Sequence, residues 1–164
     1  MRVVDMTNNA TSTRRLAVNA AFLKDIKDDN HHLKVLVDKI GPMVSHPKIA
    51  TNHWLELIDL FSEFRDQLAL HFSLEEAFGY FDEAIDTSPE LSTHAESLRS
   101  QHTTLFEAIR HLTESASEVT ADQEEKIARL LVRYDTFLRS FAQHEEAELK
   151  LILEAFDDDL GVGD

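Results

Sequence analysis

The sequence predicts an all-α protein, an antiparallel up-down-up-down four-helix bundle. Three observations point there. Apolar residues recur at three- and four-residue spacings through four long segments. Only 4 Gly and 3 Pro occur, and they act as punctuation. No stretch alternates with the period of two that marks a half-buried strand. Four amphipathic helices joined by short loops pack most simply with neighbours antiparallel.

The first helix is expected from about Thr13 to Ile40, its stripe being Leu33, Leu36, Val37 and Ile40, and Gly41-Pro42 should end it. The second runs from about Ile49 to Ile85, with Leu57, Phe61, Phe64, Leu68, His71, Glu75 and Phe78 on one face. Ser88-Pro89 supplies a cap residue and a proline for the third, whose stripe is Leu91, Leu98, His102, Leu105, Ile109 and Leu112. Glu114 to Val119 reads as a loop. Thr120-Ala121-Asp122-Gln123 fits a capping box for the fourth helix, which carries Leu130, Phe137, Phe141, His144, Glu148 and Leu151 to about Phe156. Residues 1–12 are expected to be an arm and residues 158–164 a polar tail around one domain, 13–157.

Composition narrows the function. The net charge of −15 repels nucleic acid and anionic membranes, so neither is an expected partner. With no Cys, a metal would find only nitrogen and oxygen donors. No apolar run reaches signal-peptide or membrane-spanning length, so a soluble, cytoplasmic protein is expected.

The chemistry lies in a motif that occurs twice. His71-Phe72-Ser73-Leu74-Glu75 and His144-Glu145-Glu146-Ala147-Glu148 are both His-x-x-x-Glu. A helix turns about 100° per residue, so each motif aims an imidazole and a carboxylate in one direction. In both cases that direction is the apolar face. His102 also falls on the apolar stripe of its helix. Buried charge needs a partner, and a cation is the natural partner for His71, Glu75, His102, His144 and Glu148 together. Three imidazoles and two carboxylates suit iron, manganese or zinc, and Glu75 and Glu148 are the candidates to bridge two ions. Of the other histidines, His46 reads as a loop residue and His53, His94 and His111 fall off the stripes, and all four are expected at the surface. Glu145 and Glu146 are expected to face solvent or at most to support the site from outside.

The order and register of these motifs resemble the hemerythrin family, including its hemerythrin-like cation-binding domains. Residues 64–76 look like that family's second-helix signature and residues 140–148 like its fourth, and the resemblance spans about Phe22 to Phe156. It implies a four-helix bundle with a carboxylate-bridged non-haem di-iron centre. Two departures stand out. Oxygen carriers of the family have a second His one turn after the third-helix ligand, where this chain has Phe106. In the first helix, Asp29-Asn30-His31-His32-Leu33-Lys34 looks like the segment of the family's first ligand. By helical phase His32 is preferred as a metal ligand, with His31 the alternative. A site lacking that imidazole, or holding a water on Asn30, stays open.

The resemblance implies a non-catalytic module that binds a small diatomic or anionic ligand, or senses oxygen, nitric oxide or iron. The alternatives are a di-iron oxidase, peroxidase or ferroxidase, and a metal-free helical interaction protein. The chain contains no Glu-x-x-His, the motif that ferritin-like oxidases carry on two helices.

Overall fold

The computed structural model describes residues 7–77 and 88–161. Five helices and no strand occur among them: α1 (Thr7–Met43), α2 (Pro47–Asn52), α3 (Trp54–Ala77), α4 (Pro89–Ser117) and α5 (Glu124–Gly161). α1 packs on α3, α3 on α4, and α4 on α5, while the short α2 lies against α5 and α3. No described helix is long and apolar enough to cross a membrane.

The expected stripes are the buried ones, but the boundaries move. α1 begins at Thr7, inside the expected arm, and runs through Gly41-Pro42 to Met43. No Gly or Pro precedes Gly41, so nothing stops the helix earlier. A proline in the last turn forfeits one hydrogen bond, and two residues on Val44 N–H still reaches Ile40 O at 3.1 Å. The expected second helix is two. His46 caps α2, its Nδ1 accepting from Lys48 N–H with Pro47 at the first helical position. At His53 the backbone leaves helical geometry (φ −119, ψ 21), and α3 restarts beyond it, Leu57 N–H donating to His53 O at 2.8 Å. Residues 78–87, with Phe78 and the expected end at Ile85, lie outside the described residues, as do 1–6 and 162–164.

Ser88 caps α4 as expected, its hydroxyl accepting from Leu91 N–H. α4 then continues through most of the expected loop to Ser117. Only half of the capping box forms: Thr120 N–H donates to the Gln123 side chain at 3.1 Å, but the Thr120 hydroxyl donates to Asp122. α5 therefore starts at Glu124, where Glu124 and Glu125 favour the positive end of its dipole. It runs to Gly161, past the expected stop, because no Gly or Pro intervenes.

Apolar packing falls into two clusters. The larger gathers Leu36, Ile40, Trp54, Leu57, Phe61, Phe64, Leu68, Ile109, Leu112, Ile127, Tyr134 and Phe137 among others. The smaller is Leu91, Ala95, Leu98 and Leu151. Between them along the chain come the polar residues: Leu98, His102, Leu105 on α4, and Phe141, His144, Glu148, Leu151 on α5. Full burial of one such Leu or Phe contributes about 1.5–3 kcal/mol. The larger cluster thus stabilises the helices firmly enough to hold a polar layer beside it.

Candidate metal centre

Four helices deliver the polar layer. α1 supplies Asp29, α3 His71 and Glu75, α4 His102, and α5 His144 and Glu148, each no more than 5% exposed. The i, i+4 pairs bring imidazole and carboxylate together: His71 Nε2 lies 2.7 Å from Glu75 Oε1, and His144 Nε2 lies 3.0 Å from Glu148 Oε2. Glu145 reaches in from the edge of α5, its Oε1 accepting from His71 Nε2 at 2.8 Å.

The three histidines share one orientation. On each ring Nδ1 faces an outer acceptor: Asp29 for His71, Glu76 at 3.2 Å for His102, and Gln101 at 2.9 Å for His144. On each ring Nε2 faces an inner carboxylate. Asp29 is itself held, accepting from Gln67 Nε2 at 2.7 Å. An outer acceptor on one imidazole nitrogen is what orients metal-binding histidines and fixes their tautomer.

Glu75 straddles the layer. Its Oε1 meets His71, and its Oε2 lies 3.1 Å from His102 Nε2. It therefore belongs to two sets of donors, each close enough to hold one cation. One is Glu75, His102, His144 and Glu148, all buried; the other is His71, Glu75 and Glu145. Glu75 Oε2, His144 Nε2 and Glu148 Oε2 are buried without a hydrogen-bond partner. They crowd at contact distance yet are not aligned on one another, the arrangement of donors aimed at a shared point.

Residues 21–157 match the family model described as the hemerythrin HHE cation binding domain. The chain belongs to that family. No curated protein and no solved structure matches it. The hemerythrin HHE domain binds metal cations, and the buried His and Glu cluster of this member is compatible with that.

The electrostatics of this hemerythrin site follow from burial and close charge. Burial opposes charging His71, but hydrogen bonds to Asp29, Glu145 and Glu75 overcome it and raise its pKa to about 12. Burial would favour a neutral Glu75, yet contacts with His102 and His71 hold its carboxyl well below the usual range. Burial, then the charge of Glu75, pushes Glu148 well above that range. Burial and the neighbouring His102 lower His144 to about 4.

His71, Glu75, His102, His144 and Glu148 thus converge, whereas the first-helix candidates do not. His32 is exposed and pairs with Glu63 at 3.1 Å, and His31 is exposed as well. Asp29 takes the inward place, being four residues before Leu33 and seven before Leu36 on the same face. That spacing follows from the helical period, but it carries a carboxylate where the family resemblance implies an imidazole. Glu145 also departs from expectation, since its side chain is only 34% exposed and touches His71. Glu148 joins only the four-residue set, which leaves Glu75 as the carboxylate common to both. His46, His53, His94 and His111 are exposed as expected.

Aromatic rings wall the layer. Phe72 stacks on His102 with centroids 4.1 Å apart, and Phe141 stands edge-on to His71 at 5.9 Å. Phe106, one turn after His102, is half-buried and offers no donor there.

Proposed function

We propose that this chain is a hemerythrin-like di-iron protein that binds or senses a small ligand such as oxygen or nitric oxide, or senses iron itself. In this reading the long helices α1, α3, α4 and α5 form an antiparallel up-down-up-down bundle. His71, Glu75 and Glu145 hold one iron, and Glu75, His102, His144 and Glu148 the other. The observation that carries it is the common orientation of the histidines, Nδ1 to an outer acceptor and Nε2 inward. The donors fit a cation, because three buried inner atoms lack hydrogen-bond partners. Nitrogen and carboxylate oxygen suit iron, manganese or zinc, and the resemblance to the hemerythrin family favours iron among them.

Bound iron would supply an exchangeable position and one-electron chemistry. The chain's own residues do the rest. Glu75 fixes the spacing of the two positions. Phe64, Phe72, Phe137 and Phe141 keep bulk water from the inner side. A cavity of about 370 Å³ reaches His71 and Glu75 from the other side, room for a small diatomic molecule or anion.

Metal analysis of the purified protein tests this reading, together with absorption spectra of the reduced, iron-loaded form before and after oxygen, nitric oxide or azide. Two irons per chain and a new charge-transfer band are expected. Absence of bound metal would overturn the reading. The alternative, an oxidase, peroxidase or ferroxidase, draws on the cavity that reaches His71 and Glu75, room for a small substrate. Rapid turnover of peroxide or ferrous iron would establish it instead.

A further inference from the structure

The closing half of α5 presents two unlike faces. Inward it sends His144, Glu148 and Leu151, all buried. Outward it sets Leu149 and Leu153 one turn apart, 57% and 58% exposed. Single exposed leucines need no explanation, but this pair lies where the bundle is open. α1 packs on α3, and among the described residues it does not pack closely along α5. The cavity of about 370 Å³ between them has Asn30, Leu74 and Leu149 in its wall, and no Lys or Arg.

The charge around the leucine pair is of one sign. Glu145 and Glu146 precede it, and Glu154, Asp157, Asp158 and Asp159 follow it on the same helix. From Glu145 to Asp159 the sole basic residue is Lys150. The last turn of α5 contains no basic residue. A helix C-terminus carries partial negative charge, so cations belong there, and aspartates near it make the local potential more negative still. A cation from outside would offset both.

We propose that the face of α5 carrying Leu149 and Leu153 docks a cationic amphipathic helix of another protein. Apolar anchors at helical spacing cover the leucine pair, and flanking Lys or Arg meet Glu146, Glu154 and the aspartates. A second copy of this chain fits poorly, because pairing this face with itself sets like charges against one another. An anionic bilayer is repelled for the same reason. The inference does not depend on which metal, if any, fills the layer. His144 and Glu148 do lie on the reverse of the same helix, so the partner sits one helix thickness from them.

The test is fluorescence anisotropy with the full chain and a labelled synthetic peptide of Leu and Lys, its leucines repeating at helical spacing. A scrambled peptide of the same composition is the control. The patterned peptide should bind at least about tenfold more tightly than the scrambled one. Leu149→Gln with Leu153→Gln should weaken it at least about tenfold. Both positions are exposed and Gln is a good helix former, and circular dichroism checks that the helix content is kept. Leu55→Gln, at an equally exposed leucine near the start of α3, should change the affinity less than about twofold. Glu146→Gln with Glu154→Gln should weaken binding about threefold or more at low salt, and this difference should fade as salt is added.

Equal binding of the two peptides would reduce the effect to charge attraction and overturn the proposal. An unchanged affinity in the double leucine variant, or an equal loss in Leu55→Gln, would place any apolar contact elsewhere and overturn it too. A dimer in sedimentation velocity that the double leucine variant abolishes would assign the face to a second copy instead. Binding of the wild-type chain, lost in the same variant, to phosphatidylcholine vesicles would assign it to a lipid surface. None of these outcomes bears on metal content, so failure here leaves the metal-centre reading untouched.

Discussion

Replacing Glu75 with Gln separates one shared carboxylate from two independent sites. The substitution keeps side-chain shape and removes the charge that faces both His71 and His102. It leaves three donors in one set and two in the other. Glu148→Gln is the comparison, because Glu148 belongs to the four-residue set alone. Loss of a merely supporting partner lowers affinity at metal sites about 10- to 100-fold. Loss of a shared anionic donor should therefore weaken both positions at least about 100-fold, about 2.7 kcal/mol at each. Loss of Glu148 should weaken one. Iron per chain would be measured by plasma mass spectrometry across a series of competing chelator concentrations, with circular dichroism confirming helix content. Glu75→Gln should release both irons at chelator levels where Glu148→Gln releases one. If Glu75→Gln retains both, or the two variants lose iron in parallel, Glu75 does not bridge and the division into two sets is wrong.

His32→Ala and His31→Ala should keep full metal content, since both residues are exposed, whereas Asp29→Asn should weaken metal binding about 10- to 100-fold by releasing His71; metal titrations of the three variants check this. Loading the centre should release about two protons near neutral pH, one from His71 and one from Glu148, because both hold a proton that a cation must displace. Calorimetry in buffers of different ionisation enthalpy measures that number, and a value near zero would contradict the charge assignment. In chelator, stability should fall as pH rises above about 6.5, by at most about 1.4 kcal/mol per pH unit for each group. His71 has a folded pKa of about 12 against an ordinary 6.5, so the native state binds the extra proton across that window, and the raised Glu148 acts with the same sign. The depressed Glu75 has already given its full contribution there, and His144 acts only between about 4 and 6.5. Thermal melts from pH 6.5 to 9 that are flat or rising would refute the balance.

The residues legible in the sequence are those fixed by helical period. Leu98, His102, Leu105 and Ile109 are inward because a 3.6-residue repeat leaves them no other face, and the same holds for Phe137, Phe141, His144 and Glu148. Period says nothing of where a helix breaks. The interruption at His53 and the start at Glu124 depend on local caps, a His46 ring accepting from Lys48 and a Thr120 hydroxyl turned to Asp122. Residues at the edge of a stripe are the harder case. Glu145 is one step of about 100° from His144, and whether it reaches the layer depends on how closely α3 approaches α5. Asp29 was within reach of the period, but its chemistry differs from the expected imidazole.

The layer itself argues for a use beyond packing. Buried ionisable groups contribute little net stability, and apolar residues of similar size often replace them without loss. Here the core on either side is already apolar, so Leu in place of His102 would join Leu98 and Leu105 without interruption. The chain instead orients three rings alike, supports each with a separate outer acceptor, and leaves inner atoms of Glu75, His144 and Glu148 without partners. A buried imidazole needs a partner at each ring nitrogen, and the outer acceptors satisfy Nδ1 while Nε2 is left to face the inner carboxylates. Each ring thus holds Nδ1 on an outer acceptor and turns Nε2 inward, which is what a cation between the inner atoms would require.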